Sequence, residues 1–238
     1  MLDLNRISVL PVISESERQD ALQVLRATYE REKQWVDDGA KVFPPDDLDH
    51  FDVAWFLARR HREPVGVLRV LFNPPLAVYA SYGFQPVPGV SFDVNEFVKR
   101  SRVAEIGRFA VLPQHRKNHY IAAALMRAAV RDTLERGYTH YVTDIFEGEK
   151  HSPYLFHTRV MGFEPVATHD VGELNCPHRR VTMVLDLPAA YRRLKRTGGW
   201  LFRYLTADWS ESLHRRLAGE VALPPERFVP DFSEAVLA

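Results

Sequence analysis

Apolar and polar residues follow each other along this chain with two distinct periods, and each period predicts one kind of element. Short alternating or continuous apolar runs, bounded by polar turns, predict β-strands at 53–61, 64–72, 102–112, 138–146, 163–168 and 179–187. Apolar residues three and four positions apart predict helices at 14–35, 121–136 and 151–161. This order, a helix, two antiparallel strands and then β-α-β-α-β, predicts an α/β domain with a mixed sheet.

Three segments lack a clear period. Residues 37–52 are rich in Asp, Gly and Pro, which predicts a loop, and the prolines of 73–92 leave room for one short helix at most. Residues 188–238 combine amphipathic stretches with prolines. We therefore divide the chain into a domain at 1–187 and a C-terminal tail at 188–238. We expect the tail to be helical and packed on the domain, with a partner-binding arm as the alternative.

Composition and charge narrow the classes of function. The 238 residues are 46% apolar, enough for a sizeable core, and 31 basic side chains balance 31 acidic ones. A neutral chain has no overall attraction to nucleic acid, so no nucleic-acid partner is expected. The lone Cys176 and the irregular spacing of the histidines predict neither a disulfide framework nor a metal site. No apolar run approaches the ~20 residues of a transmembrane segment and no signal peptide is visible, which predicts a cytoplasmic protein.

The segment 105–118 carries the most informative chemistry. A predicted strand runs into a short basic turn and then into the N-terminus of a helix. Unpaired N–H groups and the helix dipole favour an anion at such a turn, and Arg116 and Lys117 add formal positive charge. The turn is therefore a candidate phosphate site.

This segment resembles the GNAT acyltransferases. Val-Leu-Pro-Gln-His-Arg-Lys at 111–117 is similar to the turn at which that family holds the pyrophosphate of acyl-CoA, and Met-Gly-Phe at 161–163 is similar to a later family turn. The family usually has glycines three and five residues after the arginine, where this chain has His119 and Ile121. Because a Cβ keeps the backbone away from a phosphate, this departure disfavours tight binding of coenzyme A.

A narrower resemblance covers residues 26–163. Autoinducer (acyl-homoserine-lactone) synthases and N-acyl amino acid synthases share sparse landmarks, which occur here in order as Arg26, Trp35, Asp-His-Phe-Asp at 49–52, Arg69 and Glu-Ile-Gly-Arg-Phe at 105–109. The resemblance implies a GNAT-like sheet, largely antiparallel and flanked by helices. It implies an N-acyltransferase that moves a medium or long acyl chain from acyl carrier protein (ACP), or from acyl-CoA, to an amino acid or similar small amine. No cofactor would stay bound, since acyl-ACP or acyl-CoA is a substrate.

The resemblance also supplies candidate substrate-binding residues. They are Arg26, Trp35, Asp49, Asp52, Arg69, Phe109 and Val111. Among them, Arg69 lies in an otherwise apolar strand and so needs a carboxylate partner, for which Asp49 and Asp52 are the candidates. An ion pair between Arg69 and one of these aspartates has two equally good explanations. It could hold the loop 37–52 in place, or it could shape a pocket for the acceptor amine.

Glu105 and Arg108 are the candidate catalytic residues. Attack of an amine on a thioester needs a base for the ammonium proton and donors for the oxyanion. We assign proton removal to Glu105, orientation of a carboxylate to Arg108 and the oxyanion site to backbone N–H groups of 109–112. Tyr154 offers a hydroxyl for the leaving thiol, although packing is the preferred interpretation. Since positions three apart on a strand face opposite sides, Glu105 and Arg108 share one cleft only across a bulge, and two surface charges are the alternative.

The basic turn then becomes a docking site for an acidic carrier. Arg116, Lys117 and His119 would bind ACP and the phosphate of its pantetheine arm, with solvated loop charges as the alternative. Two further functions stay open. An acetyl-CoA-dependent acetyltransferase would be favoured by loop glycines, which are missing. A GNAT-like binding module without catalysis is disfavoured by the retained Glu105, Arg108 and Arg69.

Overall fold

The computed structural model describes residues 7–76 and 82–220, and one eight-stranded sheet organises them. The strands are β1 Ile7–Pro11, β2 Val53–Arg60, β3 Glu63–Phe72, β4 Gln85–Pro86, β5 Val103–Val111, β6 His140–Phe146, β7 Glu164–His169 and β8 Arg180–Asp186. They lie side by side in the order β1-β2-β3-β5-β6-β8-β7-β4. Every neighbouring pair is antiparallel except β5 and β6, which are parallel.

Six α-helices flank the sheet in the described ranges. They are α1 Glu15–Leu25, α2 Val94–Arg100, α3 His119–Glu135, α4 Leu187–Thr197, α5 Trp200–Thr206 and α6 Glu211–Ala218. Two π-helical segments, Arg26–Glu32 and Phe156–Met161, extend α1 and precede β7. None of these helices has the length and apolar character needed to cross a bilayer. Within 7–76 and 82–220, no three His, Cys, Asp or Glu side chains are grouped so that they could hold a metal ion.

Local sequence explains where α1 begins and where α3 begins and ends. Ser14 and Glu17 form a capping box at the start of α1, each side chain bonding to the backbone of the other residue. Asn118 caps α3 by accepting a hydrogen bond from the N–H of Tyr120 at 3.1 Å. Gly137, with a φ of 83°, follows the end of α3 in the left-handed conformation that glycine adopts without strain.

Alternation along the central strands builds a hydrophobic core on each face of the sheet. Phe56 and Leu68 point to the face covered by α3 and the C-terminal helices, whereas Leu57 and Val67 point to the face covered by α1. The C-terminal helices belong to the first core, since Leu205, Leu213 and Leu217 are buried in it. The sheet is therefore a buried layer between two helical layers.

The hydrophobic pattern predicted this architecture correctly at the level of fold class. The sheet is mixed, largely antiparallel and flanked by helices, and the predicted strands begin and end within two residues of the observed ones. The helix predicted at 14–35 changes to a π-helix at Arg26 and ends at Glu32. The short strands β1 and β4 and the short helix α2 were not predicted.

The predictions for the segments without a clear period, 73–92 and 188–238, can be compared with the structure only in part. No helix occurs in the described part of 73–92, and residues 77–81 lie outside the described ranges. Residues 221–238 of the predicted tail also lie outside them. The helices α4 to α6 occupy the preceding part of the tail. The division into a domain at 1–187 and a tail at 188–238 stays a prediction.

Candidate active site

A cleft opens where β5 and β6 part. The two strands pair only between 103–105 and 140–142, and their remaining residues are not partners of each other. A cavity of about 560 Å³ fills the gap, a size in the usual range of small-molecule sites. Its walls come from β3, β5, β6, the π-helical extension of α1, and the loops 147–155 and 170–176.

A bulge in β5 directs two charged side chains into this cavity. Residues 67–69 of β3 face residues 107–110 of β5, so β5 contains one extra residue at this point. Arg108 accommodates it with a φ of 51°, in the left-handed region that side-chain-bearing residues rarely adopt. Glu105 and Arg108 both line the cavity as a result. A regular strand would have directed them to opposite faces.

Arg69 reaches across the bulged strand to Glu105. The distance from Arg69 Nη2 to Glu105 Oε1 is 2.8 Å, and a Cβ on Gly107 would lie 2.8 Å from the same oxygen, so glycine leaves room for the pair. Burial lowers the pKa of Arg69, but the carboxylate of Glu105 outweighs this and the net pKa lies above its ordinary value. The expected pairing of Arg69 with Asp49 or Asp52 is wrong, because strand pairing places Glu105 beside it.

A second ion pair joins Arg108 to Glu173 in the loop 170–176, with 2.5 Å between Nη2 and Oε2. Burial raises the pKa of Glu173, but the guanidinium of Arg108 outweighs this and holds the net pKa below its ordinary value. The Nε atoms of Arg69 and Arg108 are buried without a hydrogen-bond acceptor. Because a buried donor without a partner costs free energy, these two N–H groups mark a position where ligand oxygens would be stabilised.

Asp144 on β6 is a further cavity carboxylate, and both of its oxygens are engaged. The hydroxyl of Thr182 donates to Oδ1 at 2.6 Å, and Nε2 of His169 lies 3.1 Å from Oδ2. The rings of Tyr82 and Phe84 stack on the buried His169. Burial and the surrounding carboxylates raise the pKa of Tyr82, because both disfavour the phenolate.

The other half of the cavity is apolar. The rings of Trp35 and Phe146 pack with centroids 4.5 Å apart, and Phe109 lies edge-on to His157 at 6.3 Å. His157 is 1% exposed, and this burial lowers its pKa to about 4, so the ring is neutral at pH 7. Its Nδ1 donates to the carbonyl of Pro153 at 3.0 Å, because a carbonyl can only accept. His157 therefore serves as a neutral part of the apolar wall.

Two ion pairs hold the extension of α1 at the mouth of the cavity. Arg116 binds Glu32 through two hydrogen bonds of 2.5 Å, and its Nε donates to the carbonyl of Val111 at 3.0 Å. Lys33 bonds to Glu149 in the loop after β6. Arg116 was expected to be available to a carrier or to be solvated. The structure instead ties it to an internal carboxylate and to the backbone.

The backbone of β5 supplies a hydrogen-bond donor, the N–H of Val111, near the mouth of the cavity. The N–H of Leu112 donates to the carbonyl of Val65 at 3.0 Å, so the expectation of an oxyanion site at 109–112 is wrong for this residue. Opposed pairs in an antiparallel ladder alternate between hydrogen-bonded and non-hydrogen-bonded. Since Val65 and Leu112 are hydrogen-bonded, the next pair, Gly66 and Val111, is not. The N–H of Val111 therefore points away from β3, toward the side on which β5 and β6 have parted.

The cavity brings together most of the predicted site residues. Those that line it are Trp35, Arg69, Glu105, Arg108, Phe109, Val111, Arg116 and His119. Arg26 instead packs beside the turn Gly39–Val42, and Lys117 is exposed beside the mouth. Asp49 is exposed, and Asp52 uses its carbonyl to accept a backbone hydrogen bond from β3. Neither aspartate lines the cavity.

Several cavity residues were missed by sequence reasoning. They are Lys33, Tyr82, Asp144, Glu149, His157 and Glu173. A carboxylate inside the apolar run 140–146 was the one available signal, and it pointed to Asp144. Glu173 lies in a loop without any pattern. Tyr154 is 39% exposed and lies outside the cavity lining, so it is neither packed nor placed to protonate a thiol there.

Comparison with known proteins places the chain among acyltransferases. The sequence model of the family described as N-acyl amino acid synthase FeeM matches residues 20–185. The structure of FeeM, an N-acyl amino acid synthase from uncultured soil microbes, is 16% identical with a TM-score of 0.62, over 82% of this chain and 99% of that one. No curated protein matches the chain.

Acetyltransferase structures share the same fold. A proposed acetyltransferase of the GNAT family from Desulfovibrio desulfuricans is 12% identical with a TM-score of 0.52, over 76% of this chain and 99% of that one. An aminoglycoside 6'-N-acetyltransferase complexed with coenzyme A is 14% identical with a TM-score of 0.51, over 76% and 96%. At these identities the structures establish a GNAT fold and leave the substrates open.

Proposed function

The chain belongs to the FeeM family of N-acyl amino acid synthases, and from that premise we propose that it transfers a medium or long acyl chain from ACP to the amino group of an amino acid. One observation carries the proposal. Two buried guanidinium groups with unused Nε donors lie beside an apolar cavity, at the point where β5 and β6 part. The charged half suits a small zwitterion and the apolar half suits an acyl chain.

The carboxylate of the acceptor would bind the two arginines. Arg69 and Arg108 each keep an Nε–H that no protein oxygen accepts, and both side chains are largely buried, each with 14% of its surface exposed. Charge-assisted hydrogen bonds from guanidinium to carboxylate are stronger than neutral ones, and burial strengthens them further. This arrangement favours an amino acid over an amine that lacks a carboxylate.

Glu105 would accept the proton of the acceptor ammonium, directly or through a water molecule. It occupies the last position at which β5 and β6 pair, beside the cavity end that holds Arg69. The other cavity carboxylates are bound as well, Asp144 by Thr182 and His169, Glu149 by Lys33 and Glu173 by Arg108, so the assignment rests on the position of Glu105 and not on a free carboxylate. The deprotonated nitrogen would then attack the thioester carbonyl carbon, and the C–S bond would break as the amide forms, with the thiolate taking up a proton.

The N–H of Val111 would stabilise the oxyanion of the tetrahedral intermediate. It points toward the gap between the strands, and the carbonyl of Val111 is held by Arg116. A backbone donor fixed by a sheet needs little reorganisation when charge develops on the substrate oxygen.

The turn before α3 favours a carrier-bound donor over coenzyme A. The N–H groups of His115 and Asn118 bond to carbonyls within the turn, and the side chain of Asn118 occupies the N–H of Tyr120. Few N–H groups are thus left for a pyrophosphate, which agrees with the missing glycines. ACP-dependent activity in the cytoplasm is the resulting proposal.

A donor and acceptor panel tests this function. The purified chain would receive acetyl and dodecanoyl groups on ACP, on coenzyme A and on pantetheine, with amino acids and their decarboxylated amines as acceptors. We expect the dodecanoyl-ACP reaction to be fastest. An amino acid should exceed its decarboxylated amine by about 10–100-fold in kcat/KM, the value of a charged hydrogen bond. The mass of the product and the rate of thiol release measure the donor preference and the acceptor preference.

A matched pair of arginine variants controls this assay. Arg108→Ala should remove the preference for a carboxylate, whereas Arg179→Ala should keep it, since Arg179 pairs with Glu147 outside the cavity. Acetyl-CoA turning over at least as well as every dodecanoyl donor would refute the proposed donor. Equal use of an amino acid and its amine would refute the proposed acceptor site.

A further inference from the structure

The helices α4 and α5 carry a basic surface that the catalytic cavity does not use. Residues 187–207 contain five Arg or Lys side chains and no Asp or Glu, although the whole chain is neutral. Four of the five are exposed, and with Trp200 they define what we name the C-terminal basic surface: Arg192, Lys195, Trp200, Arg196 and Arg203. The positive charge is therefore concentrated rather than spread.

Helical spacing places these cations together. Arg192 is three positions from Lys195 and four from Arg196 on α4, so the three cations are neighbours on the helix surface, and the ammonium of Lys195 lies 5.7 Å from the ring centre of Tyr191. Like charges at such spacing destabilise a helix. The helix dipole favours Lys195 and Arg196, which lie in the last turn of α4, but not Arg192 in the middle of the helix.

The same cations lack internal carboxylate partners. Among the described residues, no Asp or Glu forms an ion pair with Arg192, Lys195, Arg196 or Arg203. The exposed guanidinium groups of Arg100 and Arg179, by contrast, bind Glu96 and Glu147. Arg192 does donate to the carbonyl of Leu217 and Lys195 does contact the ring of Tyr191, but neither contact neutralises the positive charge, which is therefore available to an acidic partner.

An exposed aromatic ring links this surface to the mouth of the cavity. Trp200 is 49% exposed, and its ring lies edge-on to Tyr120 in the first turn of α3, with centroids 5.6 Å apart. The preceding residue, His119, lines the cavity. Aromatic side chains flanked by arginine are enriched in protein interfaces.

A second contact attaches α4 next to the cavity wall. Arg193, the inward-facing cation of the group, donates to the carbonyl of Met161 at 2.6 Å. Met161 ends the π-helical segment that carries His157 and Phe156, both of which line the cavity. The C-terminal basic surface is therefore anchored to the cavity on two sides.

We propose that the C-terminal basic surface docks the acidic carrier protein that delivers the acyl chain. This inference rests on the proposed function, because it assumes a carrier-bound donor. Charge complementarity favours such an occupant, and the contact of Trp200 with α3 places the carrier where its prosthetic arm can enter the cavity. Arg116 is bound to Glu32, so the turn before α3 contributes Lys117 as an additional exposed cation.

Steady-state kinetics with two donors test the surface. Arg196→Glu plus Arg203→Glu should raise the KM for dodecanoyl-ACP by about tenfold at low salt and leave kcat near the wild-type value, because exposed charges chiefly steer encounter. The KM for dodecanoyl-pantetheine, which lacks the carrier, should not change. Added salt should shrink the difference between variant and wild type. Trp200→Ala should raise the same KM without changing its salt dependence.

The matched control is Lys99→Glu plus Arg100→Glu, in the last turn of α2. That helix contacts His140 at the end of β6 remote from the cavity, through Phe97. The control should leave both KM values unchanged. If the charge-reversed variant does not fold, Arg196→Gln plus Arg203→Gln removes the same charges more gently and should give a smaller rise in the KM for dodecanoyl-ACP.

The possible failures are distinguishable. A wild-type chain that does not use dodecanoyl-ACP overturns the proposed donor and this surface with it. If the wild-type chain uses dodecanoyl-ACP and the variants use it equally well, the docking role of the C-terminal basic surface is refuted and the proposed donor is not. Sedimentation with phosphatidylglycerol vesicles covers the lipid alternative: loss of vesicle binding with an unchanged KM for the carrier identifies a membrane-binding face and refutes the docking role.

Discussion

Glu105 lies beside an arginine, and that neighbour determines how its carboxylate is oriented in the cavity. Its Oε1 accepts a hydrogen bond from Arg69 at 2.8 Å, and Gly107 keeps the space between them open. The pair holds the carboxylate at the closed end of the gap between β5 and β6. Orientation of this kind is what a general base needs before its basicity matters.

Glu105→Gln should separate basicity from packing. Glutamine keeps the size of the side chain and an oxygen that accepts from Arg69, but it cannot take up the ammonium proton. We expect kcat to fall by about 10²–10⁴-fold, with the residual rate rising with pH as more acceptor amine is deprotonated. Thiol release measured across pH checks this. A folded variant with full activity at every pH would exclude Glu105 as the base.

At the scale of the element, the bulge in β5 is the feature that creates the site. It rotates Arg108 into the cavity occupied by Glu105, at the cost of a positive φ in a residue with a side chain. Strained backbone of this kind persists where the surrounding structure enforces it, often at functional sites. Here the paired strand β3 and the ion pair with Glu173 hold it in place.

Two substitutions at Arg108 distinguish backbone strain from side-chain function. Both Arg108→Ala and Arg108→Gly remove the guanidinium, so both should raise the KM for the acceptor equally. Arg108→Gly should nevertheless be more stable than Arg108→Ala by about 0.5–1 kcal/mol, because glycine adopts the φ of 51° without strain. Urea unfolding measures the difference. Ala110→Gly, in the same strand, is the control and should destabilise, since glycine in a regular strand has an entropic cost.

At the scale of the whole molecule, the C-terminal helices complete the core that the strands begin. Leu205, Leu213 and Leu217 are buried with residues of the sheet and α3. Arg193 also contacts the turn at Gly162, where an added Cβ would lie 2.1 Å from its Nη2. The helices therefore contribute to stability in addition to the docking role proposed for their exposed face.

Stability of the whole molecule should depend on pH through His157. Its pKa is lowered to about 4 by burial, whereas an unfolded histidine titrates near 6.5. Above pH 6.5 the ring is neutral in both states, and as the pH falls toward 4 only the unfolded state takes up a proton, so folding becomes less favourable. The free energy of unfolding should fall by about 2–3 kcal/mol between pH 7 and pH 4.5 from this group alone.

Urea unfolding at both pH values measures this loss. His157→Gln, which has no titrating ring, should show a loss smaller by that amount. His50→Gln removes an exposed histidine and should behave as wild type. An identical pH dependence in wild type and His157→Gln would show that His157 is not the group responsible.

The sequence by itself determined most of the elements, the fold class and the family of this protein. Periodicity specifies strands and helices locally, and the landmarks from Arg26 to Phe109 depend only on residue identity and order. The same landmarks predicted catalytic roles for Glu105 and Arg108 and a substrate-binding role for Arg69, and these roles stay predictions.

Only the tertiary structure decided which of these residues meet. Strand register placed Glu105, rather than Asp49 or Asp52, beside Arg69, and the bulge reversed the facing of Arg108. Arg116 proved to be bound to Glu32, which is distant in sequence. Pairing across a sheet and contacts between loops depend on how remote segments pack, and no local period encodes that.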